Sequence, residues 1–164
     1  MEAIEALRGR RSVRAYEAGK TISKETLETL ADCGRLAATG RNVQPWEFIV
    51  ITESNILRQV ADITEYGKFI ADCSACIAVV CEDTKYYIED GAAATQNIMV
   101  AAWSLGIGSC WVAGDKKDYA DRLRQILGAP DTHKLLSLIA LGYAAKVPAP
   151  TKRPLAEVLH WERY

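Results

Sequence analysis

The chain has 164 residues, 49% of them hydrophobic and 25% charged, with a formal net charge of −1. That is length enough for one domain with a sizeable core. The near-neutral balance argues against the broad basic field that nucleic acid attracts, and no apolar run is long enough to span a bilayer. Met1 to Leu7 is acidic and periodic, unlike a secretory signal. The five cysteines lie among apolar neighbours, which suggests reduced thiols and a cytoplasmic protein rather than a disulfide frame. No repeat or linker interrupts the chain, so residues 1–164 are read as one domain.

In chain order, the short apolar-patterned segment Ile4 to Leu7 leads into Arg10-Arg11-Ser12-Val13-Arg14. Guanidinium groups this close repel one another, and an anion would complete them. Guanidinium forks match phosphate oxygens bidentately. In extended backbone Arg10, Ser12 and Arg14 point to one side and Arg11 to the other. A solvated basic face is the alternative. Ser23 is placed to cap a helix running to about Ala38, with Leu27, Leu30, Ala31, Gly34 and Ala37 on one face. Asn42-Val43-Gln44-Pro45 follows, then a β-rich alternating strand from Trp46 to Thr52. Paired carboxamides offer donors and acceptors to a flat heterocycle; the plainer reading is a loop whose amides bond its own backbone.

Ser54 opens a short helix to Ile63, and Cys76 to Cys81 is a continuous apolar strand. The one C-x-x-C, Cys73 to Cys76, runs into that strand. With only His133 and His160 to add, it makes no zinc set, and both thiols read as buried and structural. A long helix from Tyr87 to Leu105 is rich in alanine and stopped by Gly106. Small residues suit it to close helix packing in the core or in a dimer interface. A strand follows from Ile107 to Val112, with Trp111, Val112, Ala113 and Gly114 at its end able to let backbone approach a ligand. Asp115 is placed to cap a helix to Leu127, and Leu135 to Leu141 is a third apolar strand. The proline-rich tail from about Val147 can be neither helix nor central strand. It stiffens around Lys152 and Arg153 and ends in one short turn between Leu155 and His160.

Taken together, R-R-S-V-R-A-Y at 10–16, N-V-Q-P-W-E-F at 42–48, D-G-A-A-A-T-Q-N at 90–97, L-G-I-G-S-C-W-V-A-G at 105–114 and K-R-P-L at 152–155 form an ordered set. On these the chain resembles the flavin-dependent nitroreductase family over almost its whole length. The resemblance implies an α+β sandwich, with a mostly antiparallel central sheet flanked by helices. It also implies an intertwined homodimer with a C-terminal arm over the partner, and FMN held at the interface. By position, Arg10 and Ser12 would meet the FMN phosphate, beside Arg11 and with Lys152 and Arg153 from the tail. Arg14 would lie at the ring's N1/O2 edge. Asn42 and Gln44 would come from the other subunit, and Trp111 to Gly114 would lie against the ring. The implied activity passes electrons from NADH or NADPH to a nitroaromatic, quinone or enone by a ping-pong route, with no side-chain catalyst. A flavin-binding or storage protein with little turnover, and a specialised dehydrogenase or dehalogenase, are the alternatives. Two departures stand out. Only Glu82 to Tyr86 occupy the place of an inserted helical segment, and Arg41 adds a charge before Asn42. That charge is either a selector for an acidic ligand or a solvated arginine.

Overall fold

A computed structural model describes residues 1–164. Its centre is a four-stranded sheet built from β1 (Trp46–Ile51), β2 (Ala75–Glu82), β3 (Gly108–Ala113) and β4 (His133–Gly142). The spatial order is β1-β2-β4-β3, and every adjacent pair is antiparallel. β2 and β4 occupy the middle and are buried on both faces over Ala75–Cys81 and Leu135–Gly142, so these stretches are apolar, Ser137 excepted, instead of alternating. A bulge at Val79/Val80 shifts the register of that central pair.

Each face of the sheet carries its own core. On one side α2 (Lys24–Arg35) and α4 (Tyr87–Ser104) pack Leu27, Leu30, Ala94 and Ile98 against Ile77, Val79 and Ile139. The other side joins α3 (Ser54–Ile63), α5 (Ala120–Ile126) and a 3-10 turn at Lys68–Asp72 to Ala78, Val80, Leu138 and Ala140. Gly91 lets α4 settle onto the sheet: a Cβ there would come within 2.7 Å of Cys81 Sγ and would also strike Leu136. The short α1 (Ala3–Gly9) packs on α4, and Ile4 and Leu7 remain exposed.

Most expected elements form close to where the sequence puts them. Ser23 caps α2 by accepting the Thr26 amide at 3.2 Å, and α3 spans the expected Ser54–Ile63. Two expectations need correction. The helix expected to run to Ala38 ends at Arg35, because Thr39 and Gly40 are drawn onto α4. Asp115 caps no helix. The Gly114 and Asp115 amides both donate to the Leu136 carbonyl, so the chain stays against β4, and Lys116 then turns left-handed at φ 60°. α5 therefore begins only at Ala120, and the Asp115 carboxylate instead accepts the Tyr87 hydroxyl at 2.9 Å. Residues 149–164 extend outward and are exposed throughout, with a 3-10 turn at Leu155–Glu157. No helix is long and apolar enough to cross a membrane.

Candidate functional site

The arginine cluster runs as an extended segment along the free edge of β3. Ser12 bridges Ser109 in parallel, and the Val13 amide donates to the Ser109 carbonyl at 2.9 Å. Val13 is fully buried beneath this segment, and Tyr16 donates its hydroxyl to the Val13 carbonyl at 2.8 Å. Those anchors fix which way the neighbouring side chains face. Arg10, Ser12 and Arg14 gather about Cys110 on β3. Burial pushes the Cys110 thiol upward; the charges of Arg14 and Arg10 and a hydrogen bond with Ser12 act against it. Arg11 is turned away. Its Nη1 donates to the carbonyls of Arg8 at 2.7 Å and Arg10 at 2.9 Å, so it clamps its own backbone.

The cluster has no acid to answer it. None of Arg10, Arg11 and Arg14 forms an ion pair. Arg10 Nη1 is buried with no hydrogen-bond partner, and so is the Ser109 hydroxyl. A buried guanidinium nitrogen left unpaired costs about 1–3 kcal/mol or more, so the site is incomplete without an acceptor. Ser12, Arg14, Ala15, Lys146 and Pro148 line a cleft of about 230 Å³ beside it. Cationic donors with a hydroxyl and no carboxylate suit a phosphate. Lys146 is a member that the sequence reading missed. It lies more than 130 residues from Arg10 and is brought in because the Ala145 amide bonds the Ala15 carbonyl at 3.0 Å. A second cleft, of about 520 Å³, opens between Arg14, Tyr16, Asp72 and Cys73, where the Arg14 guanidinium stands 5.9 Å from the Phe69 ring centre.

The remaining candidates divide. Trp111 and Ala113 share one face of β3, pairing with Ile139 and Ser137, and Trp111 is 37% exposed. Val112 points the other way into the core, so only its main chain could meet a ligand. Gly114 is buried so tightly that a Cβ would lie 2.6 Å from the Leu135 carbonyl oxygen. Tyr119 fastens this strand end by donating its hydroxyl to the Ala113 carbonyl at 2.5 Å. Asn42 and Gln44 sit on an exposed loop far from the arginines in sequence and carry positive φ angles of 58° and 54°. Gln44 donates its amide to the Asn42 carbonyl at 3.3 Å, as the plainer reading held, whereas the Asn42 carboxamide bonds nothing. Lys152 and Arg153 lie in the exposed tail, and neither makes a hydrogen bond or ion pair with its own chain. Cys73 and Cys76 are buried as free thiols, and burial pushes Cys73 up to about 11.

The family model described as the Nitroreductase family matches residues 7–75 and 82–143. A protein of Archaeoglobus fulgidus, provisionally named an NADH dehydrogenase/NAD(P)H nitroreductase, is 35% identical over 150 residues, covering 87% of this chain and 85% of that protein. The structure of a protein with the same provisional name from Bacteroides thetaiotaomicron superposes with a TM-score of 0.93 at 29% identity, over 99% of this chain and 98% of the other. A provisionally named nitroreductase from Desulfovibrio desulfuricans, solved in complex with FMN, superposes at 0.86 with 29% identity, over 100% and 98% of the two chains.

Proposed function

Since the chain belongs to the nitroreductase family, we propose that it is an FMN-dependent oxidoreductase that passes electrons from NAD(P)H to a small organic acceptor. The observation that carries this reading is the buried, unpartnered Arg10 Nη1 beside a cleft lined by Ser12, Arg14 and Lys146 and by no acid. Arg10, Ser12 and Lys146 hold the phosphate monoester; no G-x-G-x-x-G follows a strand to cradle a dinucleotide. Bound FMN supplies the hydride acceptance and donation, as cofactors carry chemistry that side chains cannot. Arg14 keeps a cation beside the ring, where it favours the more negative reduced state. Trp111 and Ala113 present an apolar face to the ring. Nicotinamide and acceptor use the site in turn, the acceptor being a nitroaromatic, quinone or enone.

Two copies of the chain complete the site. The tail leaves Leu155 69% and Trp161 79% exposed, and α1 leaves Ile4 and Leu7 exposed, which is apolar surface suited to a partner. From that partner come Asn42, Gln44 and the Lys152–Arg153 pair. The short link from β2 to α4, Asp83 to Tyr86, leaves little chain to form a lid over the site.

The test is a visible spectrum of the purified protein followed by anaerobic titration with NADH and with NADPH. The expected protein is yellow and bleaches within seconds with at least one nicotinamide. A colourless protein that fails to take up FMN refutes the reading. A yellow protein that neither nicotinamide bleaches is instead a flavin carrier.

A further inference from the structure

Arg41, Asn42 and Gln44 are all left-handed, with φ of 54°, 58° and 54°. Few side chains tolerate that conformation, and three within four residues need something to hold them. What holds them lies some fifty residues further along the chain. Asp90, on the first turn of α4, is only 5% exposed and accepts two hydrogen bonds from the loop. The Thr39 hydroxyl donates to Oδ2 at 2.8 Å and the Gly40 amide donates to Oδ1 at 2.9 Å. Thr39 Oγ1 in turn accepts the Gln44 backbone N–H at 3.1 Å.

The polarity of this relay is fixed. The single hydroxyl proton of Thr39 goes to the carboxylate, which leaves an oxygen lone pair for Gln44. Charge-assisted bonds to a carboxylate are roughly twice as strong as neutral ones. No cation pairs with Asp90, so its charge is answered by the loop and by the positive end of α4. Gly40 seats the loop against α4, because a Cβ there would come within 3.1 Å of the Tyr86 ring.

We infer that Asp90 and Thr39 are positioning residues, which set the Gln44 carboxamide in the orientation that bound FMN meets. The inference rests on the FMN reading above. It makes the base of α4 the part that fixes one wall of the cofactor site.

The experiment compares wild type with Thr39→Val, Thr39→Ser, Asp90→Asn, Gln44→Ala and the Thr39→Val/Gln44→Ala double variant. FMN Kd, the flavin absorption maximum, and kcat and KM for the nicotinamide are measured on flavin-saturated protein, and Tm is recorded. Thr39→Val keeps the shape and removes both hydrogen bonds. It is expected to shift the absorption band and to lower kcat about threefold to tenfold at saturating FMN. Thr39→Ser restores both readouts. Asp90→Asn, which can still accept the Gly40 amide, shows a smaller loss of the same sign. In the Gln44→Ala background Thr39→Val adds little. The inference is overturned if Thr39→Val lowers Tm but leaves the band, Kd, kcat and KM at wild-type values. It is equally overturned if its effect multiplies with that of Gln44→Ala. A wild-type chain that binds no FMN removes the FMN reading and this inference together; a normal wild type with an indifferent Thr39→Val removes this inference alone.

Discussion

At the scale of single residues, the cationic cluster gives the sharpest consequences. Each charge-assisted hydrogen bond contributes about 1.5–3 kcal/mol. Arg10→Ala should therefore weaken FMN binding by about tenfold to a hundredfold, read by fluorescence titration. Unchanged affinity would return Arg10 to a structural role. Arg14→Gln should behave differently. It leaves the phosphate donors in place and should lower the two-electron potential by tens of millivolts, since about 30 mV corresponds to about 1.4 kcal/mol. Spectroelectrochemistry on the saturated variant separates the two roles, because a loss of affinity with a fixed potential would put Arg14 at the phosphate. The thiols carry a pH dependence. Burial pushes Cys73 up to about 11 and Cys81 up to about 12, and raises Cys76 as well, from an ordinary 9.0. The folded chain thus holds protons that the unfolded chain releases. The thiols take nothing from stability below about pH 9, and stability is lost as pH rises from there toward 11–12. The urea midpoint should fall across that window, and a flat profile would mean the thiols are better solvated than they look. The alternation of Arg10, Ser12 and Arg14 was legible in the sequence because an extended segment obeys a period of two. Lys146 was not, and Asp90 was legible only as part of the segment at 90–97 and not as the partner of Thr39 and Gly40, since only the folded chain brings residues so far apart together.

At the scale of elements, periodicity and caps did most of the work. α3, β1, β2 and α4 follow from alternation, apolar runs and stop signals, all of which are local. α5 failed because Asp115 has a cap's chemistry but a strand's surroundings: two amides held by the Leu136 carbonyl outweigh one side-chain cap. The 3-10 turn at Lys68–Asp72 left no periodic signature, and Lys68 secures it by donating to the carbonyls of Ala61 and Asp62 at 3.1 and 2.9 Å. The seating of α4 is the element most open to perturbation. Gly91→Ala puts a methyl group against Cys81 and Leu136, and overpacking of this kind costs about 1–3 kcal/mol. A urea midpoint equal to wild type would show that the helix can slide to make room.

At the scale of the whole molecule, the isolated chain leaves its arm and the outer face of α1 uncovered. Sedimentation at micromolar concentration should give twice the 18.0 kDa chain mass; a stable flavin-loaded monomer would contradict the shared site. The tail's composition told as much as its position, because a run broken by Pro148, Pro150 and Pro154 can neither pair within a sheet nor coil. One consequence lies in the arithmetic of mass action. If Lys152 and Arg153 complete the phosphate site of the other copy, cofactor and assembly are thermodynamically linked. Dilution should then do what a point mutation does: below the dimer dissociation constant the yellow protein sheds its flavin, and added FMN draws the halves back together. The apparent affinity for FMN should rise with protein concentration, a dependence that a chain with a self-contained pocket would not show.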